Sequence, residues 1–317
     1  MKIGVDIMGG DFAPEQTTLG AIAAWRDLPK EIKLVLFGNR ELILPYLKQE
    51  GVSEDAMEIV HCPGVISMSD HPTKSFQQKT DSSIVVGFQW LKEGRIDSFA
   101  SAGNTGAMLV GSMFTVKPIP GILRPAIGSL LPKEDGGWGL ILDVGVNADC
   151  KAEALQQFAI LGSIYAENLL HIKNPRVGLM SIGEEEEKGN LLVKEAHQLL
   201  KGSKEINFIG NVEGRDLFNK QADVIVCDGF TGNVILKQAE SFYTMIKQRD
   251  IKDAYFERFD YEDYGGTPIL GINSAVIIAH GISKTKAIKN MILLSREVCE
   301  AGLSEKIAKA FSKEIVS

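Results

Sequence analysis

The residues able to do chemistry sit in short glycine-rich clusters, each placed where an apolar run ends. The 101–106 stretch reads Ser-Ala-Gly-Asn-Thr-Gly and opens a helix-like segment. Free N–H groups at such a start, with small residues for close approach and side-chain donors, form a cradle for an anion. A capped strand-to-helix turn would use Ser101, Gly103, Asn104, Thr105 and Gly106 for its own backbone instead. The 227–233 stretch, Cys-Asp-Gly-Phe-Thr-Gly-Asn, repeats that spacing. There Asp228 and Gly232 could shape a ligand site, and Asn233 offers the neutral amide donor that an oxyanion needs, or a plain helix cap. Asp6, Gly9, Gly10 and Asp11 form a further strand-end turn whose carboxylates could orient a substrate or cap the following helix. Asn147 lies in a fourth such segment, 143–151, together with Cys150. No histidine is near Cys150 in sequence, which favours an incidental thiol.

Cations complete the set. Lys188 follows four glutamates between Gly183 and Gly189, where it could reach an anionic ligand or simply face solvent. His280 ends the apolar run 276–279, and Ser283 is the expected cap of the helix after it. Lys284, Lys286 and Lys289 would crowd the positive end of that helix, an arrangement that is unfavourable unless an anion visits.

Other chemistries lose support. Neither GxGxxG nor GxxxxGK[ST] occurs, so dinucleotide and P-loop nucleotide binding lack their main evidence. GxSxG, HExxH and a His followed five residues on by Asp are absent too. The 317 residues carry 34 Lys or Arg against 41 Asp or Glu, a net charge of −7 that argues against nucleic acid. Four scattered cysteines suggest neither a disulfide framework nor zinc, and no apolar run is long enough to span a membrane. With no secretory leader evident, a reducing cytoplasm is the expected location.

The elements that must hold these clusters alternate. Apolar runs at 2–7, 32–38, 57–61, 97–103, 139–145, 176–183, 206–211 and 222–229 are separated by helix-period segments, the pattern of an α/β protein. Runs such as Leu34-Val35-Leu36-Phe37 are apolar at successive positions, as in mostly parallel strands covered on both faces. Ile84, Phe88 and Leu91 place one helix in the core over 82–93; Leu155, Phe158, Leu161 and Tyr165 place another over 153–170. The expected organisation is one interwoven domain over 1–317, with room for two lobes around a central cleft and its weakest boundary at 118–121.

The ordered motifs DIMGGDFAPE, SAGNTGAML, LLPKEDGGWGLILDVGVNADCK, GEEEEKGN, INFIGNVEGRD, VIVCDGFTGNVILK and YGGTPILGINSAVIIAHG resemble the PlsX-type phosphate acyltransferases of bacterial phospholipid synthesis. The resemblance runs from Met1 to about Ile292. It implies a three-layer α/β/α sandwich with a mostly parallel sheet, like isopropylmalate dehydrogenase and phosphotransacetylase, and no cofactor. It also implies transfer of a fatty acyl group from acyl carrier protein to inorganic phosphate. The acyl phosphate product would feed a glycerol-phosphate acyltransferase, and homodimers with peripheral membrane contact are expected. Under this reading the 101–106 loop holds phosphate, with Asp6, Gly9, Gly10, Asn147, Asp228 and Gly232 lining the substrate. Lys188 and Asn233 match residues implicated in the family; His280 could protonate the departing thiolate, and Lys284, Lys286 and Lys289 would dock the acidic carrier.

The chain departs from that pattern twice. Gln77 and Gln78 replace arginines that relatives carry, leaving Lys79 with Lys74 nearby, and the 243–263 segment is shorter than the helical hairpin of relatives. An acyl-coenzyme A-dependent transferase, a dehydrogenase and a non-catalytic membrane scaffold are the rival readings.

Overall fold

The computed structural model describes residues 1–312. In chain order its strands are β1 (Lys2–Asp6), β2 (Lys33–Gly38), β3 (Glu58–His61), β4 (Ser98–Ser101), β5 (Ala126–Pro132), β6 (Trp138–Leu142), β7 (Arg176–Met180), β8 (Asn207–Val212), β9 (Val224–Val226), β10 (Thr267–Leu270) and β11 (Ala275–Ile278). Its helices are α1 (Glu15–Asp27), α2 (Arg40–Gln49), α3 (Pro72–Gln78), α4 (Ser83–Lys92), α5 (Thr105–Gly111), α6 (Ala152–Asn168), α7 (Leu191–Gly202), α8 (Gly229–Gln248), α9 (Ala254–Glu257), α10 (Tyr261–Tyr264), α11 (Thr285–Glu300) and α12 (Leu303–Ser312). The chain divides into two compact units, Met1–Pro118 with Tyr261–Ser304, and Ile119–Asp260 with the chain from Glu305 onward. Neither unit is continuous in sequence.

In the first unit the strands run in the order β3-β2-β1-β4-β11-β10. All neighbours are parallel except the antiparallel pair β10 and β11. The apolar run Leu34 to Phe37 is 1% exposed or less throughout, as strands covered on both faces must be. Ile84, Phe88 and Leu91 turn into the core from α4, whose start is capped by the Ser82 hydroxyl accepting from the Val85 N–H. Phe99 meets both Phe37 and Phe88 edge-on at 5.7 and 5.3 Å, contacts worth about 1 kcal/mol each beyond their burial.

In the second unit the order is β5-β6-β9-β7-β8, again parallel apart from one antiparallel pair, β5 with β6. Leu155, Phe158, Leu161 and Tyr165 are buried along α6. β5 and β10 escape the sequence reading because each is punctuated, β5 by Gly128 and its terminal Pro132, β10 by Pro268. Both belong to the antiparallel pairs, so the mixed character of each sheet is invisible in the apolar runs.

The strand ends of both units are organised by buried carboxylates. Asp6, 1% exposed, accepts from the Ser101 hydroxyl at 2.7 Å and the Met8 N–H at 3.0 Å. Asp143, fully buried, accepts from the N–H groups of Ile127, Val146 and Asn147 and from the Asn147 side-chain amide. Burial pushes both carboxyls above the ordinary value of 3.8, against the donors that pull them down.

Of the 243–263 segment, the part up to Asp260 packs within the second unit. The Arg258 guanidinium lies 4.4 Å from the Trp138 ring and donates to the Lys133 and Gly137 carbonyls. The Tyr255 hydroxyl donates to the Pro132 carbonyl at 3.1 Å. Beneath them the Lys133 ammonium, 5% exposed, donates to the Leu217 carbonyl at 2.7 Å, and burial lowers its pKa from 10.5 to about 8. Between those values the unfolded chain keeps a proton that the folded chain has released, so this lysine makes folding more favourable as pH rises. Lys133→Met removes that dependence. In urea unfolding, the stability of the native protein relative to Lys133→Met should rise by about 2 kcal/mol from pH 8 to about 10.5. A flat or falling difference contradicts the buried, charged lysine.

Candidate functional site

In the first unit, the sequence-predicted residues Asp6, Gly9, Gly10, Ser101, Gly103, Asn104, Thr105, Gly106, His280 and Lys284 follow the carboxyl ends of β1, β4 and β11. Asp6 holds the Ser101 hydroxyl, and the same oxygen accepts from the Gly103 N–H at 2.9 Å. The loop is thereby drawn inward, and a Cβ at Gly9 would overlap the Asp6 carboxylate and the Gly103 backbone. Gly10, at φ +111°, turns the chain so that the Asp11 N–H donates to the Gly281 carbonyl at 2.8 Å.

Asn104 is 5% exposed and works on the protein itself. Its oxygen caps α5 by accepting from the Ala107 N–H, and its amide donates to the carbonyls of Ser67, Met68 and Asp70. Lys79 ties down the same 65–70 loop through Asp70 at 2.5 Å and the Val65 carbonyl at 2.8 Å. Lys74 is exposed on α3. What the 101–106 loop leaves outward is the exposed Thr105 and the half-buried Gly106, whose N–H groups begin α5 without intrahelical acceptors.

His280 is half-buried with its ring 4.9 Å from that of Tyr261 and tilted 56° to it, and its carbonyl accepts from the Ser283 N–H. Ser283 does not cap α11. The helix begins at Thr285, and Gln16 reaches over from α1 to accept from both the Thr285 N–H and hydroxyl. The cations of α11 have internal partners: Lys286 pairs with Asp263, Lys289 with Asp27 at 2.5 Å, and Lys284 lies 5.3 Å from the Phe12 ring. These acids offset the charge that the sequence left uncompensated.

In the second unit lie Asn147, Asp228, Gly232, Asn233 and Lys188. Asn147, 4% exposed, donates to the Pro125 carbonyl and to Asp143. Asp228 caps α8, accepting from the Thr231 N–H at 2.9 Å and hydroxyl at 2.8 Å. At Gly232 a Cβ would run into the Asp143 carbonyl, so the first turn of α8 closes against β6 only without a side chain. Asn233 is half-buried; its amide donates to the Val144 carbonyl at 3.2 Å, leaving a second N–H and the oxygen. Burial pushes the Cys150 thiol up to about 11 and Cys227 well above its usual value, so neither is a ready thiolate.

Lys188 is exposed and makes no ion pair among the described residues. Two of the four glutamates before it are engaged elsewhere, Glu184 with Arg215 at 3.3 Å and Glu186 with Lys201 at 2.5 Å. The shape of its loop comes from residues the sequence did not single out for the purpose. The buried His197 ring meets the Asn211 oxygen at 2.9 Å, and the Asn211 amide donates to the Glu185 carbonyl at 2.8 Å. That carbonyl also accepts from the Lys188 N–H at 3.0 Å. Asn211 followed an apolar run and was visible as a strand-end residue; His197, inside an amphipathic helix, carried no signal.

Residues 1–306 match the family described as "Fatty acid synthesis protein". A phosphate acyltransferase of Dictyoglomus turgidum is 42% identical over 332 aligned residues, covering 99% of this chain and 98% of that protein. One of Halothermothrix orenii is 43% identical over 335, covering 99% of each. Among solved structures, a phosphotransacetylase from Streptococcus pyogenes gives a TM-score of 0.67 at 17% identity, covering 94% of both chains, a likeness of fold. With the family match and relatives above 40% identity spanning nearly its whole length, the chain belongs to the fatty acid synthesis family that includes these phosphate acyltransferases.

Proposed function

We propose that this protein moves a fatty acyl group from the thioester of an acyl carrier protein to inorganic phosphate. A phosphate oxygen attacks the thioester carbonyl carbon, the C–S bond breaks, and the carrier leaves as its thiol once the thiolate takes a proton; the product is an acyl phosphate. The observation that carries this reading is the near-full-length relation to phosphate acyltransferases. The chemistry suits the side chains at hand. Phosphate is already an anionic nucleophile, so the protein needs to position it and to stabilise the tetrahedral oxyanion.

The first turn of α5, with the Thr105 and Gly106 N–H groups, is the proposed phosphate loop, shaped from behind by Asp6 and Ser101. Lys188, a cation without an internal acid, offsets the charge of phosphate or of the intermediate. Asn233 donates its spare N–H to the developing oxyanion, and His280 supplies the proton to the departing thiolate. Lys284 is the foremost docking point for the acidic carrier, with Lys286 and Lys289 behind it in partial neutralisation by Asp263 and Asp27. The acyl phosphate passes to a glycerol-phosphate acyltransferase, and the protein works as a homodimer touching the membrane peripherally from the cytoplasmic side. Among the described residues no helix is long and apolar enough to cross a membrane.

The test is phosphate-dependent release of carrier thiol from a long-chain acyl carrier protein, with mass detection of the acyl phosphate. Formation of that product only when phosphate is present is expected; its absence with folded protein and authentic carrier removes the reading. Lys188→Ala and Asn233→Ala should each lower kcat by about 100-fold or more, the scale of a lost oxyanion donor. Unchanged turnover in either variant removes the role assigned to that residue. Lys284→Glu should raise KM for the acyl carrier several-fold while leaving KM for phosphate in place, and equal effects on both would place carrier docking elsewhere.

A further inference from the structure

The second unit contains a cavity of about 380 Å³ at the carboxyl ends of β7 and β9. That size lies within the range of about 300–1,000 Å³ of small-molecule pockets. Its walls come from α6, β7, α7, α8 and the residue that follows β9, in Leu155, Leu179, Met180, Val193, Ile235 and Cys227. The floor is deep in the core: Leu155 is 1% exposed, Leu179 fully buried and Cys227 3% exposed. The mouth is marked by Ile182, which lines the cavity yet is 84% exposed. Leu191 and Phe230, next in sequence to lining residues, are exposed at 78% and 67%.

The polar groups of the wall are largely turned away from a ligand. Asp228 and Thr231 bond to each other, and the Asn190 oxygen accepts from the Val193 N–H. Ser181 Oγ is the wall hydroxyl without a partner among the described residues. A wall whose polar atoms, Ser181 Oγ apart, are already engaged suits a hydrocarbon and penalises a hydrated head group. Taking each methylene as filling about the 30 Å³ of a liquid water molecule, the cavity holds a chain of about a dozen carbons.

The rim gives the orientation. Gly189 and Asn190 line the cavity immediately after Lys188. We infer that this cavity receives the hydrocarbon chain of the acyl thioester, tail towards Leu155, with its carbonyl at the rim beside Lys188. The inference rests on the acyl-transfer reading for its ligand class. Val193 and Ile235, half-buried on facing helices, set the length of chain that fits.

Ile235→Trp and Val193→Trp fill the cavity from positions that are not fully packed, and thermal unfolding verifies that each variant folds. With butanoyl and hexadecanoyl thioesters of the carrier, the ratio of kcat/KM for the long chain to that for the short chain should fall at least tenfold in both. Palmitate binding, followed directly by calorimetry, should weaken at least tenfold in parallel. An equal loss at every chain length would mean that the carrier's pantetheine arm occupies the cavity and overturns the proposal, as would no loss at all. Should the native protein form no acyl phosphate from any thioester, the acyl-transfer reading fails by itself. The calorimetric arm then decides the cavity: palmitate binding lost in both variants upholds it, and binding that is absent or unaffected overturns it.

Discussion

A carboxylate buried at the end of a strand costs free energy unless its oxygens are met by donors, and the strand ends of this protein are arranged around that constraint. Asp6 and Asp143 meet it in different ways. Asp6 takes a hydroxyl from the neighbouring strand, and that hydroxyl in turn fixes the Gly103 N–H. Asp143 gathers three backbone N–H groups and an amide from β5 and from its own loop. In each unit backbone packs directly against the carboxylate, from the following loop at Asp6 and from the start of α8 at Asp143, and only glycine fits there. Gly9 lies against Asp6, and Gly229 against Asp143. The glycine-rich clusters that stand out in the sequence are therefore the outer surface of two buried hydrogen-bond networks.

This arrangement divides labour among residues that look alike on paper. Asn104, Asn147 and Asp228 spend their polar atoms on backbone groups within their own unit, which makes them positioning residues. Asn233 and Lys188 retain capacity for a ligand, and Lys188 directly precedes two residues that line the apolar cavity of the second unit. Rigid inner networks with a few unspent donors at the edge provide the pre-organisation that acyl transfer to an anion requires.

The sequence displays the part of this that is local. Helical periodicity placed α4 and α6 with their buried faces, and unbroken apolar runs located the parallel strands. The two antiparallel partners, β5 and β10, were hidden because proline and glycine interrupt them. Partners distant in sequence were hidden altogether. Asn104 reaches the 67–70 loop, His197 reaches Asn211, and Lys286 and Lys289 find Asp263 and Asp27. Reading α11 alone gave a cation-rich helix start in want of an anion, whereas the fold supplies acids from α1 and α10. The cavity was equally hidden, since its walls come from helices and strands that are each apolar for ordinary reasons of packing. What sequence cannot show is which polar atoms have been used.

The central claim is that a buried carboxylate, itself out of reach of ligand, shapes the loop proposed to hold phosphate. Calorimetric titration of inorganic phosphate into the native protein and into Asp6→Asn tests it most directly, with thermal unfolding run alongside to establish that the variant is folded. Phosphate affinity should be at least tenfold weaker in Asp6→Asn, because the amide keeps the volume but cannot accept from both Ser101 and Met8 as the carboxylate does. Native-like phosphate affinity in a folded Asp6→Asn protein would contradict it.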